Sequence, residues 1–291
     1  MPQPLIKLDN VSWAYRRAKT WALKNINVEI GEGECIAVMG ESGAGKTTFC
    51  RLLNGIIPHS LSGKLLGRVL VDGVLTQDSS VAELAGKVGM VLEDPETQLV
   101  TARVKDEVAF GLENLLLPPG EIRARVKQAL ETAGLGGYAD FSPSALSGGQ
   151  KQRLAIAAAL VMAARALVLD EPTSQLDPAG SKEVLSFIRE IRRQRGLTVI
   201  MATHNSEEVC EFADRVCLLK NGTVAALDTP ERIFSNGELL NDHCVRLPQV
   251  SELALCMKKN GEELPFFPLL PGEAKAAVLA WFKTGPNGDK H

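Results

Sequence analysis

Residues 35–48, CIAVMGESGAGKTT, join a fully apolar strand to a glycine-rich loop and the start of a helix. The loop fits the pattern GxxxxGK[ST], whose glycines let backbone N–H groups surround a phosphate while the helix dipole points at it. In this pattern Lys46 reaches the β- and γ-phosphates, and the Thr47 hydroxyl binds Mg²⁺. A chance glycine turn is the alternative, but the strand before the loop and the helix after it favour nucleotide binding. The residues predicted to contact the nucleotide are Gly40, Glu41, Ser42, Gly43, Ala44, Gly45, Lys46, Thr47 and Thr48.

The composition of the chain fits an α/β protein with a well-filled core. Of 291 residues, 45% are hydrophobic and 23% are charged, and the net charge of -3 argues against bulk binding to nucleic acid. The six cysteines form no CxxC pair and no zinc spacing, which suggests a reducing cytosol. The first residues lack the apolar segment of a secretion signal, and the longest apolar run, 154–164, is too short to span a membrane.

The pattern along the chain predicts a core with several additions. Residues 5–30 alternate as antiparallel strands around a loop at 16–20, and helical spacing within residues 99–145 indicates a helical subdomain inserted between strands. A helical run is predicted over 151–164. Strands at 166–169 and 198–202 alternate with helices at 180–194 and 206–213, and a hairpin then turns at Asn221 and Gly222. Beyond about residue 235 the pattern fades into a small appendage, and the tail TGPNGDKH is expected to be loose.

A second motif follows the phosphate loop at residues 166–171, ALVLDE. An apolar strand that ends in a carboxylate can support Mg²⁺, here through Asp170. Glu171 then points at the γ-phosphate, where it could orient and deprotonate a water molecule. Taken alone, such a strand end is more often a helix cap or a turn, but its place downstream of a phosphate loop favours the catalytic interpretation.

A third motif, LSGGQ at residues 146–150, precedes the predicted helical run. Simple helix initiation by Ser147 is the alternative, but a cap needs neither the two glycines nor this order of residues. The stretch predicts a second anion site with its own helix dipole, on a different subdomain from the phosphate loop. The residues predicted to take part are Ser147, Gly148, Gly149 and Gln150.

The three motifs together resemble the ATP-binding subunit of an ABC transporter, over about residues 5–235. The resemblance implies an α/β fold of the P-loop NTPase type: a RecA-like core, an antiparallel β subdomain, an inserted helical subdomain at about 99–160, and a small C-terminal extension at 236–291. It also implies that two subunits face each other head to tail. ATP with Mg²⁺ would then lie between the phosphate loop of one subunit and the LSGGQ of the other.

Other positions resemble those of the same family. Tyr15 resembles the aromatic residue that stacks on adenine, although an ordinary strand aromatic is the alternative. The stretch SQLD, residues 174–177, resembles the loop that links the two ATP sites, and Asp177 is the last residue of this stretch. His204 resembles the histidine that contacts the γ-phosphate, and its place at the carboxyl end of an apolar strand, beside Glu171, favours this role over a structural one.

The stretch VGMVLEDPETQ, residues 88–98, departs from the family pattern. Where the family has a glutamine that touches Mg²⁺ and the attacking water, this chain has Glu93, and Gln98 matches a later glutamine. A carboxylate only accepts hydrogen bonds, whereas an amide also donates. We expect Glu93 to keep the metal role and to shift the metal and pH preference of the site. The alternative is that Glu93 points away and matters little.

The branch of the family is indicated by residues 106–115, DEVAFGLENL. They resemble a stretch of energy-coupling-factor and cobalt- or nickel-importer ATPases, and residues 247–282 resemble the C-terminal extension of that branch, which helps to hold the ATPase pair together. The resemblance implies ATP-driven vitamin or transition-metal uptake at the cytoplasmic face of the membrane. It also implies as partners a second ATPase subunit (the same chain or a paralogue), a membrane scaffold protein and a substrate-binding membrane subunit, without nucleic acid.

Two other functions stay open at this stage. One is a soluble ABC ATPase in DNA repair or translation, against which stand the single cassette and the lack of a long coiled-coil insertion before LSGGQ. The other is a weakly hydrolysing or non-hydrolysing partner subunit. Such a subunit would be expected to lose Glu171, His204 or LSGGQ, all of which are present.

Overall fold

Two sheets organise the computed structural model, which describes residues 3–236, 239–240 and 245–284. One sheet has four strands in the order β2-β1-β4-β5, and the other has six in the order β10-β9-β3-β8-β7-β6. Within the described residues, the strands are β1 (Ile6–Tyr15), β2 (Leu23–Ile30), β3 (Cys35–Met39), β4 (Gly63–Val71), β5 (Val74–Leu75), β6 (Val88–Val91), β7 (Ala166–Asp170), β8 (Thr198–Ala202), β9 (Arg215–Lys220) and β10 (Thr223–Asp228).

Helices cover both faces of the six-stranded sheet and form the inserted subdomain. In the same part of the chain, they are α1 (Lys46–Leu53), α2 (Ile56–His59), α3 (Val81–Ala85), α4 (Val104–Asn114), α5 (Pro119–Thr132), α6 (Gly148–Leu160), α7 (Pro178–Arg195), α8 (Ser206–Phe212), α9 (Pro230–Phe234), α10 (Gln249–Lys259) and α11 (Pro271–Thr284). Apart from the helix predicted over 151–164, the predicted helices and strands of the core are confirmed to within three residues at their ends.

The centre of the six-stranded sheet is parallel because its strands are apolar on both faces. All residues of β3, β7 and β8 are buried, as expected for strands that helices cover on both sides. β3 pairs with β8, β8 with β7, and β7 with β6, all in parallel register. The four strands therefore end at the same edge of the sheet.

The hairpins at the margins follow from alternating burial and from turn chemistry. In β2, Leu23, Ile26, Val28 and Ile30 are buried, and the residues between them are mostly exposed. β1 pairs with β2 and β4 in antiparallel fashion, which confirms the predicted β subdomain. Between β9 and β10, Asn221 and Gly222 have φ values of +50° and +76°. A type I′ turn requires a positive φ at both positions, as the sequence predicted.

Helix α6 belongs to the core and to the helical subdomain at once. Ala155 and Ile156 pack in the apolar cluster with β7 and α7, while Leu154 and Ala157 pack with α4 and α5. The helical run predicted over 151–164 extends too far at its C-terminal end, since the helix ends at Leu160. Ala163 has a φ of +64°, in the left-handed region that does not continue an α-helix.

The C-terminal extension has a small apolar cluster of its own and a second contact with the core. Ala254, Leu264 and Ala277 are buried between α10 and α11. Val245 and Leu247 pack instead with Met39 at the end of β3 and with Val209 of α8. The predicted loose tail lies outside the described residues, except for Thr284 at the end of α11.

Two further expectations concern membranes and thiols. None of the helices in the described ranges is both long and apolar enough to cross a bilayer. The cysteines at 35, 50, 210, 217 and 256 are free thiols, and Cys244 lies outside the described residues. Burial raises the pKa of the Cys217 thiol to about 12, so this thiol stays protonated at neutral pH.

Candidate functional site

The site forms at the carboxyl edge of the parallel strands. β3 leads into the glycine-rich loop, β7 into Glu171, β8 into His204 and β6 into Glu93. Register places Asp170 opposite Ala202, and Glu171 donates its backbone N–H to the carbonyl of Ala202 at 2.8 Å. Ligands of parallel α/β sheets bind at this edge, because successive strand ends converge there.

The glycine-rich loop adopts a path that only glycine allows at two positions. Gly40 has a φ of +146°, and a Cβ there would lie 2.4 Å from the carbonyl oxygen of Leu219. Gly45 has a φ of +109°, and its Cβ would lie 2.7 Å from the Leu23 side chain. Gly45 immediately precedes α1, so the loop delivers the free N–H groups of that helix to the site.

Lys46 points back into this loop. Its Nζ donates to the carbonyl oxygens of Gly40 at 3.0 Å and Glu41 at 3.3 Å, and lies 3.7 Å from Glu171 Oε1. The carbonyl oxygens and the carboxylate hold the ammonium group over the hollow of the loop. A phosphate in the loop would therefore meet a lysine that is already in position.

Thr47 and Asp170, the two residues whose oxygen atoms are predicted to hold Mg²⁺, are in contact. The Thr47 hydroxyl donates to Asp170 Oδ1 at 3.2 Å. Burial raises the pKa of the Asp170 carboxyl above its ordinary value. The Thr47 hydrogen bond opposes this rise, and the nearby Glu171 carboxylate adds to it. A cation at this carboxylate would favour the ionised form and relieve the cost of burying it.

Glu171 is held in an unusual backbone conformation next to His204. Its φ is +50°, which costs a non-glycine residue about 1–3 kcal/mol. Its Oε2 lies 2.8 Å from His204 Nδ1, while the other carboxylate oxygen faces Lys46. The carboxylate side chain is only 13% exposed and the imidazole 70%. This arrangement fixes a carboxylate in the cavity, where it can accept a proton from a bound water molecule.

Glu93 lies in the cavity wall, and Gln98 fixes the loop that carries it. Gln98 accepts from the N–H of Leu92 at 3.1 Å and donates from Nε2 to the carbonyl of Met90 at 3.1 Å. The oxygen and the nitrogen of the Gln98 amide are thus both hydrogen-bonded to the backbone where β6 ends. No sequence pattern predicts this role of Gln98, since it depends on the turn that Pro95 begins.

These groups surround one cavity of about 940 Å³. Its wall includes Tyr15, most of the stretch 40–48, Glu93, Glu171 and His204. The Tyr15 hydroxyl lies 2.9 Å from Thr48 Oγ1, and its ring meets Trp13 edge to face, so the aromatic ring is fixed in place. Ala44 of the same stretch is buried and does not line the cavity. Asp170 does not line it either, but it is hydrogen-bonded to Thr47, which does.

Val245 and Arg246, from the C-terminal extension, also line the cavity. No sequence motif marks either residue, and neither was among the predicted site residues. They reach the cavity only because the chain returns past the end of β3 after the core is complete.

Residues of the LSGGQ motif do not line this cavity. Ser147 caps α6, accepting from the N–H of Gln150 at 3.4 Å, and Gln150 accepts in return from the N–H of Ser147 at 2.9 Å. Gly148 and Gly149 form the first turn of this helix. Asp177 likewise caps α7, accepting from the N–H of Gly180 at 2.7 Å. The start of α6 is therefore separate from the cavity, and the anion site that the sequence predicts there stays a prediction.

Comparisons with known proteins agree with this geometry. The ABC transporter family model matches residues 23–174. The energy-coupling factor transporter ATP-binding protein EcfA1 of Caldanaerobacter subterraneus subsp. tengcongensis is 40% identical over 265 residues, covering 90% of this chain and 94% of that protein.

Two solved structures resemble the fold. CbiO1 from Clostridium perfringens, part of the ABC transporter complex CbiONQ, is 37% identical with a TM-score of 0.73, covering 87% of this chain and 99% of that one. A dimeric ATP-binding cassette in a post-hydrolysis state with ADP and Pi is 29% identical with a TM-score of 0.66, covering 77% of this chain and 98% of that one.

The Gln98 contacts predict that this side chain supports the site from a distance. Gln98→Ala leaves two backbone groups at the exit of β6 without their partner, which should cost about 1 kcal/mol of folding free energy. It should also displace Glu93 and lower the rate of ATP hydrolysis about tenfold. Thermal unfolding and phosphate release measure the two effects.

Gln77→Ala is the matched control. Gln77 is also half-buried, and it donates to the carbonyl of Gly67 at 2.9 Å and accepts from the N–H of Val69 at 3.4 Å, far from the cavity. It should lower the unfolding temperature similarly without slowing hydrolysis. If the two variants hydrolyse ATP equally well, Gln98 has no role in positioning the site.

Proposed function

Because this chain belongs to the ABC transporter family, we propose that it hydrolyses ATP to power a membrane importer of the energy-coupling-factor type. The observation that carries the proposal is the meeting of Lys46, Thr47, Glu171 and His204 at one cavity on the carboxyl edge of the sheet, with Asp170 hydrogen-bonded to Thr47. The similarity to EcfA1 and CbiO1 over most of both chains supports this branch of the family. Neither the DNA-repair or translation alternative nor the weakly hydrolysing one is favoured by these comparisons.

The geometry supports a distinct role for each group in hydrolysis. Backbone N–H groups of the loop and Lys46 would bind the β- and γ-phosphates, and Tyr15 would stack on the adenine. Glu171 would orient the attacking water and accept its proton, since its carboxylate is already fixed in the cavity. His204 would hold Glu171 through Nδ1 and present its exposed ring edge to the γ-phosphate.

A magnesium ion fits the oxygen donors at this edge. Mg²⁺ is usually bound through one or two carboxylates together with substrate phosphates and water. The Thr47 hydroxyl and the Asp170 carboxylate lie 3.2 Å apart, and the Glu93 carboxylate lies on the same cavity wall. When bound there, the ion would neutralise charge on the phosphates. The role of Glu93 is to add a negative charge where the family carries an amide.

The separation of the two anion sites supports a head-to-tail dimer. The LSGGQ at the start of α6 would complete the cavity of a second subunit, either the same chain or a paralogue, and Asp177 would link the two sites. The dimeric ATP-binding cassette among the similar structures supports this arrangement. The C-terminal extension would add to the contact, since Leu253, Phe266 and Leu279 are exposed on it.

Exposed apolar residues lie beyond Gln98. Glu107 of α4 accepts from the N–H groups of Val100 at 3.0 Å and Thr101 at 2.8 Å, which fixes this loop to the helix. Val100 is 71% exposed and Phe110 50% exposed. We infer that this apolar surface receives the scaffold protein, which in turn holds the substrate-binding membrane subunit, at the cytoplasmic face of the membrane. The cargo is then set by those partners.

Replacement of Glu171 tests the hydrolytic function. Glu171→Gln removes the proton acceptor while keeping the size of the side chain, so hydrolysis should fall about 10²- to 10⁴-fold. ATP affinity should be kept. Glu211→Gln, the same change at an exposed residue of α8, should leave the rate unchanged. Full activity in Glu171→Gln would exclude it as the base.

Replacement of Glu93 tests its metal role. A carboxylate binds a divalent cation more strongly than an amide, so Glu93→Gln should raise the Mg²⁺ concentration for half-maximal hydrolysis about tenfold. The preference between Mg²⁺ and Mn²⁺ and the pH dependence should also change. Titrations of ATPase activity with each metal across pH measure this. Superimposable curves for the two proteins would show that Glu93 points away from the ion.

Replacement of Ser147 separates helix capping from nucleotide binding. Aspartate is as good an N-cap as serine, so Ser147→Asp should fold normally. Its charge would face the γ-phosphate across the dimer, so hydrolysis should fall at least about tenfold. Ser80→Asp, at the N-cap of α3, is the matched control and should keep full activity. Equal rates in both variants would leave Ser147 as a helix cap alone.

Replacement of exposed apolar residues tests the partner surface. Val100→Asp and Phe110→Asp should abolish co-purification of a polytopic scaffold from detergent-extracted membranes, because each places a charge in an apolar contact. Both should keep the basal ATPase rate of the purified chain. Leu66→Asp, at an exposed position in β4, is the control. Recovery of the scaffold by all three variants would place the contact elsewhere.

A further inference from the structure

Arg246 belongs to the C-terminal extension, yet it lies in the wall of the nucleotide cavity. The rest of the charged wall comes from the core: Glu41, Glu93 and Glu171 are acidic, and Lys46 is basic. Lys46 already faces Glu171 at 3.7 Å, so part of its charge is compensated. Arg246 is the other permanent cation among the described lining residues, in a cavity that is to receive a polyanion.

The guanidinium of Arg246 is free to bind a ligand. The residue is exposed, and within residues 3–236, 239–240 and 245–284 its side chain makes no hydrogen bond or ion pair. Most other arginines near the core have carboxylate partners, such as Arg215 with Glu34 at 2.9 Å. A planar guanidinium forms paired hydrogen bonds with phosphate oxygens, which favours this cation for recognising a phosphate group.

The backbone of Arg246 is nevertheless fixed. Its carbonyl accepts from the hydroxyl of Ser206 at the start of α8, and the N–H of Gln249 donates to Glu207 of the same helix at 3.1 Å. On either side, Val245 and Leu247 pack in the apolar cluster of Met39 and Val209. The segment is therefore attached at several points close to the cavity.

These backbone hydrogen bonds indicate which end of the cavity Arg246 lies near. Ser206 follows His204 by two residues, and His204 lies 2.8 Å from Glu171. The arginine thus enters from the side of the hydrolytic pair. The adenine side is set instead by Tyr15, which is fixed to Thr48.

We propose that Arg246 is a nucleotide-binding residue that the C-terminal extension contributes, and that it contacts the γ-phosphate of bound ATP. This inference rests on the proposed function. Its consequence is that the extension distinguishes the triphosphate from the diphosphate, because ADP lacks the phosphate that Arg246 binds. The extension and the hydrolytic site are thereby coupled in a single chain.

The test measures the affinity for two nucleotides in the full chain. Calorimetric titrations with Mg-ATP and Mg-ADP use a Glu171→Gln background, so that ATP stays intact. Arg246→Ala should weaken ATP binding about tenfold to hundredfold and change ADP binding less than about threefold. Arg246→Lys should restore part of the ATP affinity, since it keeps the charge without the paired geometry.

Arg123→Ala is the matched control, because Arg123 is exposed on α5, away from the cavity. It should leave both affinities unchanged, and equal unfolding temperatures should show that every variant folds. Unchanged ATP affinity in Arg246→Ala would overturn the inference, as would an equal loss for ATP and ADP. Absence of nucleotide binding in the background protein itself would instead overturn the proposed function, and the inference with it.

Discussion

The parallel pairing of β3, β8, β7 and β6 is the constraint on which the site depends. All residues of β3, β7 and β8 and three of the four residues of β6 are buried, so the pairing of these strands is fixed by the apolar packing of the helices that cover them. Parallel register brings the four strand exits to one edge, where the loop, the acidic pair, His204 and Glu93 meet. A one-residue shift of β7 against β8 would move Asp170 away from Thr47 and turn its side chain to the other face of the sheet.

The charge at this edge supports the proposal that a second subunit completes the site. The cavity carries more acidic than basic side chains, so the proposed nucleotide would be held by backbone N–H groups, a helix dipole and a metal ion as well as by a few cations. The second helix dipole, at the LSGGQ of α6, points elsewhere in the single chain. In the proposed dimer, hydrolysis would join surfaces of two subunits, and α6, which packs against both the core and the helical subdomain, would transmit their approach.

The contacts around β6 suggest how that approach reaches a membrane partner. Gln98 ties the loop to the exit of the strand, and Glu107 ties the next residues to α4. The chain between the cavity and the exposed apolar surface is thus connected by hydrogen bonds at each step. The C-terminal extension makes a second contact with the cavity, through the segment around Arg246, which is hydrogen-bonded to Ser206 and Glu207.

The local features of this protein could be predicted from its amino-acid sequence. The phosphate loop, the strand ends at Asp170 and Glu93, the Asn221 turn and the capping of α6 follow from steric limits and periodicities that act over a few residues. The end of α6 was predicted too late, because apolar composition does not show where a helix stops. The place of His204 beside Glu171 was predicted from the two strand ends, and the structure has them 2.8 Å apart. The support that Gln98 gives to the loop of Glu93, and the reach of Arg246 to the cavity, could not be predicted from the sequence. Each of these last two contacts joins residues on separate elements or across a turn, and their distance depends on how whole strands and helices pack, which no local pattern encodes.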